Sequence, residues 1–117
     1  KVIVLMTDGL NTRRVNLTGT LNHDYLKGGA LIGDTNTANA AERVQTNTDT
    51  VTLCTYAKSN NIEIFTVAFK VEDAAAKTML ETCATDSSHY YDASDSQKLL
   101  DAFIGIGASL TQVRLAR

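Results

Sequence analysis

Asp8 is the residue best placed to do chemistry. It follows an uninterrupted apolar run, Val2-Ile3-Val4-Leu5-Met6, and precedes Gly9, which lets the backbone turn tightly. Such a run suits a strand buried on both faces, the kind found inside parallel α/β sheets. Open sheets of that class bind ligands outside the carboxyl ends of their strands, where neighbouring loops converge. A carboxylate there is the hard oxygen ligand that Mg²⁺ or Mn²⁺ takes. It is also the nucleophile that a phosphoacceptor or hydrolase of this fold class would use. The plainer reading is a turn-forming Asp, because Asp-Gly is among the commonest turn dipeptides. One carboxylate completes none of these sites.

Cys54 and Cys83 are the only cysteines, and their spacing excludes a Cys-x-x-Cys redox pair or a four-cysteine metal site. Each falls on the apolar face of an expected helix, and both a disulfide and two buried thiols fit that placement. His23 lies in an irregular stretch, and His89 precedes two tyrosines, where a structural or surface role is expected. Asp92-Ala93-Ser94-Asp95-Ser96 is an Asp-x-Ser-x-Ser sequence in which Ser94, with Gln97, has the spacing of a capping box. The acids between Glu72 and Asp101 face only Lys77 and Lys98 and read as a solvated face. Arg13-Arg14 and the acceptor-like Asn16-Leu17-Thr18 are a loop charge pair and a weak motif. No serine nucleophile elbow, phosphate-cradling glycine loop or catalytically spaced acidic pair is present.

Elements must position these residues, and the composition permits them. The chain has 117 residues, 44% hydrophobic and 21% charged, with net charge −2, which suits one small globular domain or part of one. There is no basic excess for sequence-independent nucleic-acid binding. The longest apolar run is far short of the roughly 20 residues that span a bilayer. After the first strand and the turn at Thr7–Gly9, residues 10–47 form a long irregular stretch rich in Asn, Thr and Gly, with room for a short helix at 39–45.

Helical spacing returns over 48–60, with Thr50, Leu53, Cys54 and Ala57 on one face and Asn60-Asn61 as a left-handed stop. Ile62–Phe69 reads as a strand. Asp73 opens a helix to about Thr85 with Ala76, Met79, Leu80 and Cys83 inward. His89-Tyr90-Tyr91 is a brief strand, and Ser94 caps a last helix burying Leu100, Phe103, Ile104, Leu110 and Val113. The order β(αβ)₂α predicts an α/β fold with parallel strands and crossovers of one hand, half of a doubly wound sheet. A central strand starting directly after Lys1 leads us to expect further elements upstream.

The run ending in Thr7-Asp8-Gly9 resembles the fourth strand and following loop of von Willebrand factor A domains. Ile62–Phe69 then resembles the fifth strand, Tyr90-Tyr91-Asp92 the sixth, and Leu99-Leu100-x-x-Phe103 the opening of the last helix. Leu53-Cys54, Thr82-Cys83-Ala84, His89–Ala93 and Leu110–Arg117 are similar to one subfamily, the A-domain-containing pilus-assembly proteins of the bacterial tight-adherence (Flp pilus) system. The likeness covers nearly the whole chain outside residues 10–47. It implies the carboxyl-terminal half of a von Willebrand A-like domain with strand order 3-2-1-4-5-6, three of those strands lying in this chain.

The same resemblance implies a non-enzymatic adhesion or pilus-assembly module with a protein partner, placed in the periplasm or at the cell surface through an upstream anchor. It makes Asp8 part of a metal-ion-dependent adhesion site for Mg²⁺ or Mn²⁺. That site is incomplete here, because the family's Asp-x-Ser-x-Ser loop and its threonine would lie before Lys1. It also favours a Cys54–Cys83 disulfide over free thiols. With the first three strands absent, Val2–Met6 would be an exposed edge, and self-association through it is expected. Two alternatives stand beside this reading: a phosphoacceptor or hydrolase using Asp8, and a structural scaffold with a vestigial metal site. A phosphoacceptor needs an upstream acidic pair and a well-placed Lys, and neither is visible.

Overall fold

The computed structural model describes residues 1–9 and 37–115. In chain order they form β1 (Val2–Thr7), α1 (Thr37–Ser59), β2 (Glu63–Phe69), α2 (Ala74–Cys83), a 3₁₀ turn (Ser87–His89), β3 (Tyr90–Ala93) and α3 (Ser96–Leu115). The strands make one parallel sheet in the order β1-β2-β3. Val2 to Thr7 pair with Glu63 to Ala68, and Thr66 to Phe69 pair with Tyr90 to Ala93. The chain is therefore an α/β protein with a three-stranded parallel sheet flanked by helices, consistent with a Rossmann-like fold.

β2 is the centre of the core, buried from Ile64 to Ala68. Side chains alternate across a strand, so Phe65 and Val67 face α3, where they pack with Ala93, Ala102 and Ile106. Ala68 faces the opposite layer with Val71, Ala76, Met79 and Leu80, and Ile64 joins Cys54 and Cys83 there. Both crossover helices, α1 and α2, thus cover one face. Two successive crossovers that step the same way across a sheet do this when they share one hand. The buried Thr66 hydroxyl donates to the Leu80 carbonyl at 2.8 Å, so the one buried polar side chain in the core of the described residues is satisfied.

Several expectations hold in detail. Asp73 caps α2 by accepting from the Ala76 N–H at 2.7 Å, and Ala76, Met79, Leu80 and Cys83 are its buried face. Asn61 sits at φ 57° and ends α1 in the left-handed conformation expected of it.

Others are corrected. α1 is one 23-residue helix: it contains the short helix expected at 39–45, joins it to the helix expected from 48, and so takes in residues 37–47 of the stretch read as irregular. Thr46, Asn47, Thr48 and Thr50 are poor helix formers in isolation. Tertiary packing overrides that preference, because α1 lies against α2 and β2 through Val51, Cys54 and Ala57. Leu53 is 69% exposed and does not share that buried face. Asp95, not Ser94, caps α3, its carboxylate accepting from the Lys98 N–H at 2.8 Å. In α3 the buried positions are Ala102 and Ile106, while Leu100, Phe103 and Ile104 are exposed. Small Ala102 lets the helix settle close to the sheet and turns the larger side chains outward. No described helix is long and apolar enough to cross a membrane. Residues 10–36, with His23, Arg13-Arg14 and Asn16–Thr18, lie outside the described residues, as does the Val113 side chain.

Candidate functional site at the carboxyl ends of the strands

Asp8 stands immediately beyond the carboxyl end of β1, exposed. The turn beneath it is held by Thr7, whose hydroxyl donates to the Gly9 carbonyl at 3.0 Å and accepts from the Gly9 N–H at 3.3 Å. At the ends of β2 and β3 a crevice of about 500 Å³ opens, lined by Lys70, Val71, Glu72, Lys77, Asp92 and Ser94. Lys70 is held at φ 53°, a left-handed conformation that costs a non-glycine residue about 1 kcal/mol. Its N–H is kept in place by the Ala93 carbonyl at 2.9 Å, and its ammonium lies 5.2 Å from the centre of the Phe69 ring. Lys77 pairs with Asp92 at 2.8 Å, and that hydrogen bond raises the pKa of the lysine despite some desolvation.

The donor set at this end is one free-standing carboxylate, Asp8, plus a crevice whose acids and bases balance. Among the described residues no group of three His, Cys, Asp or Glu side chains assembles to hold a metal ion. The Asp92–Ser96 motif is spent on structure, Asp92 on Lys77 and Asp95 on the cap of α3. A lone carboxylate offers at most one or two of the six or so oxygen ligands that Mg²⁺ takes, and the described residues do not make a complete site.

Cys54 and Cys83 form a disulfide joining α1 to α2, with Cα atoms 5.1 Å apart. Lys58 of α1 reinforces the junction, its ammonium donating to the carbonyls of Thr82 at 2.7 Å and Ala84 at 3.0 Å, where α2 leaves its last carbonyls unpaired.

A second polar cluster lies at the opposite, amino end of the sheet, and sequence reasoning missed it. His89 is not on β3 but ends the 3₁₀ turn before it. Its Nε2 is 2.7 Å from Glu63 of β2, and its Nδ1 is 2.8 Å from Asp86. The imidazole is 14% exposed and lies against the Phe65 ring, with centroids 4.4 Å apart. The Asp86-x-x-His89 spacing is a local signal for half of this cluster; Glu63 is too distant in sequence to signal the other half.

No protein-family model matches the chain, and no curated protein matches it either.

Proposed function

We propose that this chain is a non-enzymatic interaction module of the von Willebrand A type, from a bacterial pilus-assembly protein, whose partner engages the carboxyl ends of the strands. The observation that carries the reading is Asp8, exposed at the carboxyl end of an apolar parallel strand, with the sheet running in the order β1-β2-β3. That order agrees with the fourth, fifth and sixth strands of the family it resembles. The disulfide supports an oxidising compartment, the periplasm or cell surface. In this reading Asp8 contributes one ligand to a Mg²⁺ or Mn²⁺ ion whose other ligands come from outside the described residues. The polar crevice at the carboxyl ends of β2 and β3 lies at the same end of the sheet and widens the contact surface.

Calorimetric titration with Mn²⁺ on a protein that includes the residues upstream of Lys1, wild type against Asp8→Ala, tests the metal arm. Heat that disappears in the variant supports an adhesion-type site. Equal heats in the two proteins would remove Asp8 from any such site. Incubation with a small phosphodonor tests the enzymatic alternative. No mass gain is expected; a gain of one phosphoryl group that Asp8→Asn abolishes would overturn the non-enzymatic reading.

A further inference from the structure

We propose that His89 is a proton-operated latch that fastens the turn before β3 to the amino end of β2, closed when the imidazole is protonated and released as the pH rises. The proposal concerns the end of the sheet opposite Asp8 and stands apart from the function assigned there. Its basis is a donor–acceptor count. Each ring nitrogen of His89 faces a carboxylate oxygen, Glu63 at 2.7 Å and Asp86 at 2.8 Å. Ionised carboxylates only accept hydrogen bonds, and a neutral imidazole has one N–H to donate. Only the imidazolium, with two N–H groups, satisfies both partners at once. In the neutral form one nitrogen lone pair is set against a carboxylate; at Nδ1 the Ser88 hydroxyl, 3.2 Å away, relieves that contact only by turning its proton away from Asp86, so one acceptor still loses its donor.

The surroundings make the latch matter for the fold. The ring is largely covered and packs on Phe65, whose side chain belongs to the central core. Glu63 opens β2 and pairs with β1, its N–H donating to the Lys1 carbonyl at 3.0 Å. Asp86 caps the 3₁₀ turn, its carboxylate accepting from the N–H and hydroxyl of Ser88 at 2.8 and 2.6 Å. His89 therefore joins the start of the middle strand to the segment that delivers β3. Below the turn, Thr85 extends the ladder: Ile64 and Thr85 exchange hydrogen bonds of 2.7 Å, to the Thr85 hydroxyl, and 2.9 Å, between the backbones. The other charged groups at this corner are Lys58 of α1, engaged by the Thr82 and Ala84 carbonyls, and Lys1 beside Glu63. Neither offers His89 a competing acceptor.

The direction of the pH effect follows. Burial of the ring lowers the His89 pKa, but the hydrogen bonds to Glu63 and Asp86 outweigh it, so the folded value lies above the ordinary 6.5. A group with a raised folded pKa contributes stability that is fully present below its unfolded value and lost as pH climbs through the folded one. Asp86 is held down to about 2, first by the Ser88 hydroxyl and then by His89, so its end of the latch survives mild acid and fails only near that pH.

The chain has two histidines, His23 and His89, so ring-proton NMR resolves both, with His89→Gln giving the assignment. His89 is expected to titrate above 6.5. Its midpoint should drop in Glu63→Gln and again in Asp86→Asn, both of which keep the histidine in place. Urea unfolding between pH 5.5 and 8.5 should show stability falling toward alkaline pH. The unfolding constant should rise by no more than tenfold per pH unit, the limit that one proton sets. The His89-dependent part of that slope should vanish in His89→Gln. A His89 that titrates at or below 6.5, or a slope identical in wild type and His89→Gln, would overturn the latch.

Discussion

At the level of single residues, the two glycines of α3 separate backbone preference from packing. Gly105 and Gly107 are both interior to a helix, where glycine is about 1 kcal/mol less favourable than alanine. A Cβ at Gly107 would meet nothing within 4 Å, so Gly107→Ala should recover most of that amount. A Cβ at Gly105 would come within 2.9 Å of the Tyr91 hydroxyl and 3.4 Å of its ring, so the phenol must shift. That displacement opposes the helix gain, and Gly105→Ala should stabilise less than Gly107→Ala or destabilise. Thermal unfolding of the two variants, on opposite flanks of one helix, measures the difference. Equal stabilisation would mean that Tyr91 yields freely and that the close approach of α3 to β3 is not needed. Lys70 poses the reverse case. Its left-handed backbone would be relaxed by glycine, and Lys70→Gly should stabilise by a few tenths to about 1 kcal/mol unless the Phe69 contact offsets it.

At the level of elements, α1 depends on its junction with α2. The Cys54–Cys83 bridge closes a loop with a sequence separation of 29. In the chain-entropy view that constrains the unfolded state by about 3–4 kcal/mol. Replacing both cysteines with alanine should cost that much in urea unfolding, and more if the small cavities left beside Ile64 do not collapse. Unchanged stability would show that the helix junction is held by Lys58 and apolar packing alone. The same helix marks the boundary of what the sequence discloses. α2 is legible because its cap and its apolar spacing agree, Asp73 followed by Ala76, Met79, Leu80 and Cys83. The first half of α1 is legible only as a short helix at 39–45, since the threonines and asparagine from Thr46 disfavour a continuous helix locally, and the packing that holds α1, at Val51, Cys54 and Ala57, comes from elements distant in sequence. The phase of α3 is misread for a related reason. Three large apolar residues suggest an inward face, yet small Ala102 and Ile106 make the close contact with the sheet. At the sites, Asp8 is legible from a strand and a turn. The His89 cluster is not, because its Glu63 arm depends on which strands become neighbours.

At the scale of the whole molecule, the described sheet has two edges, the short and partly covered β3 and the longer, apolar β1. β2 is almost wholly enclosed, whereas Val2, Ile3, Val4 and Met6 of β1 are 37–50% exposed, and β1 has a pairing strand on one side only among the described residues. Val2, Val4 and Met6 lie on the α3 face, by their register with Glu63, Phe65 and Val67. On α3 itself Gly105 abuts Tyr91 of β3, and Phe103 is roughly 160° around the helix from it, on the flank away from Tyr91. Phe103 and Leu100 are exposed on α3, and β1 itself presents an uncovered apolar strip. Nothing within the strand blunts its edge: it has no proline, no charge and no bulge, only Lys1 before it. A strip of this kind beside unpaired strand N–H and C=O groups is a template for another chain. This 117-residue chain should therefore self-associate through β1 at high micromolar concentration. Val4→Lys places a charge in the middle of the strip and should weaken association at least tenfold, about 1.4 kcal/mol. Sedimentation velocity on both proteins, with circular dichroism to verify the fold, decides the point. A wild-type monomer with native-like circular dichroism at that concentration would mean that the β1 edge is covered from within the chain itself.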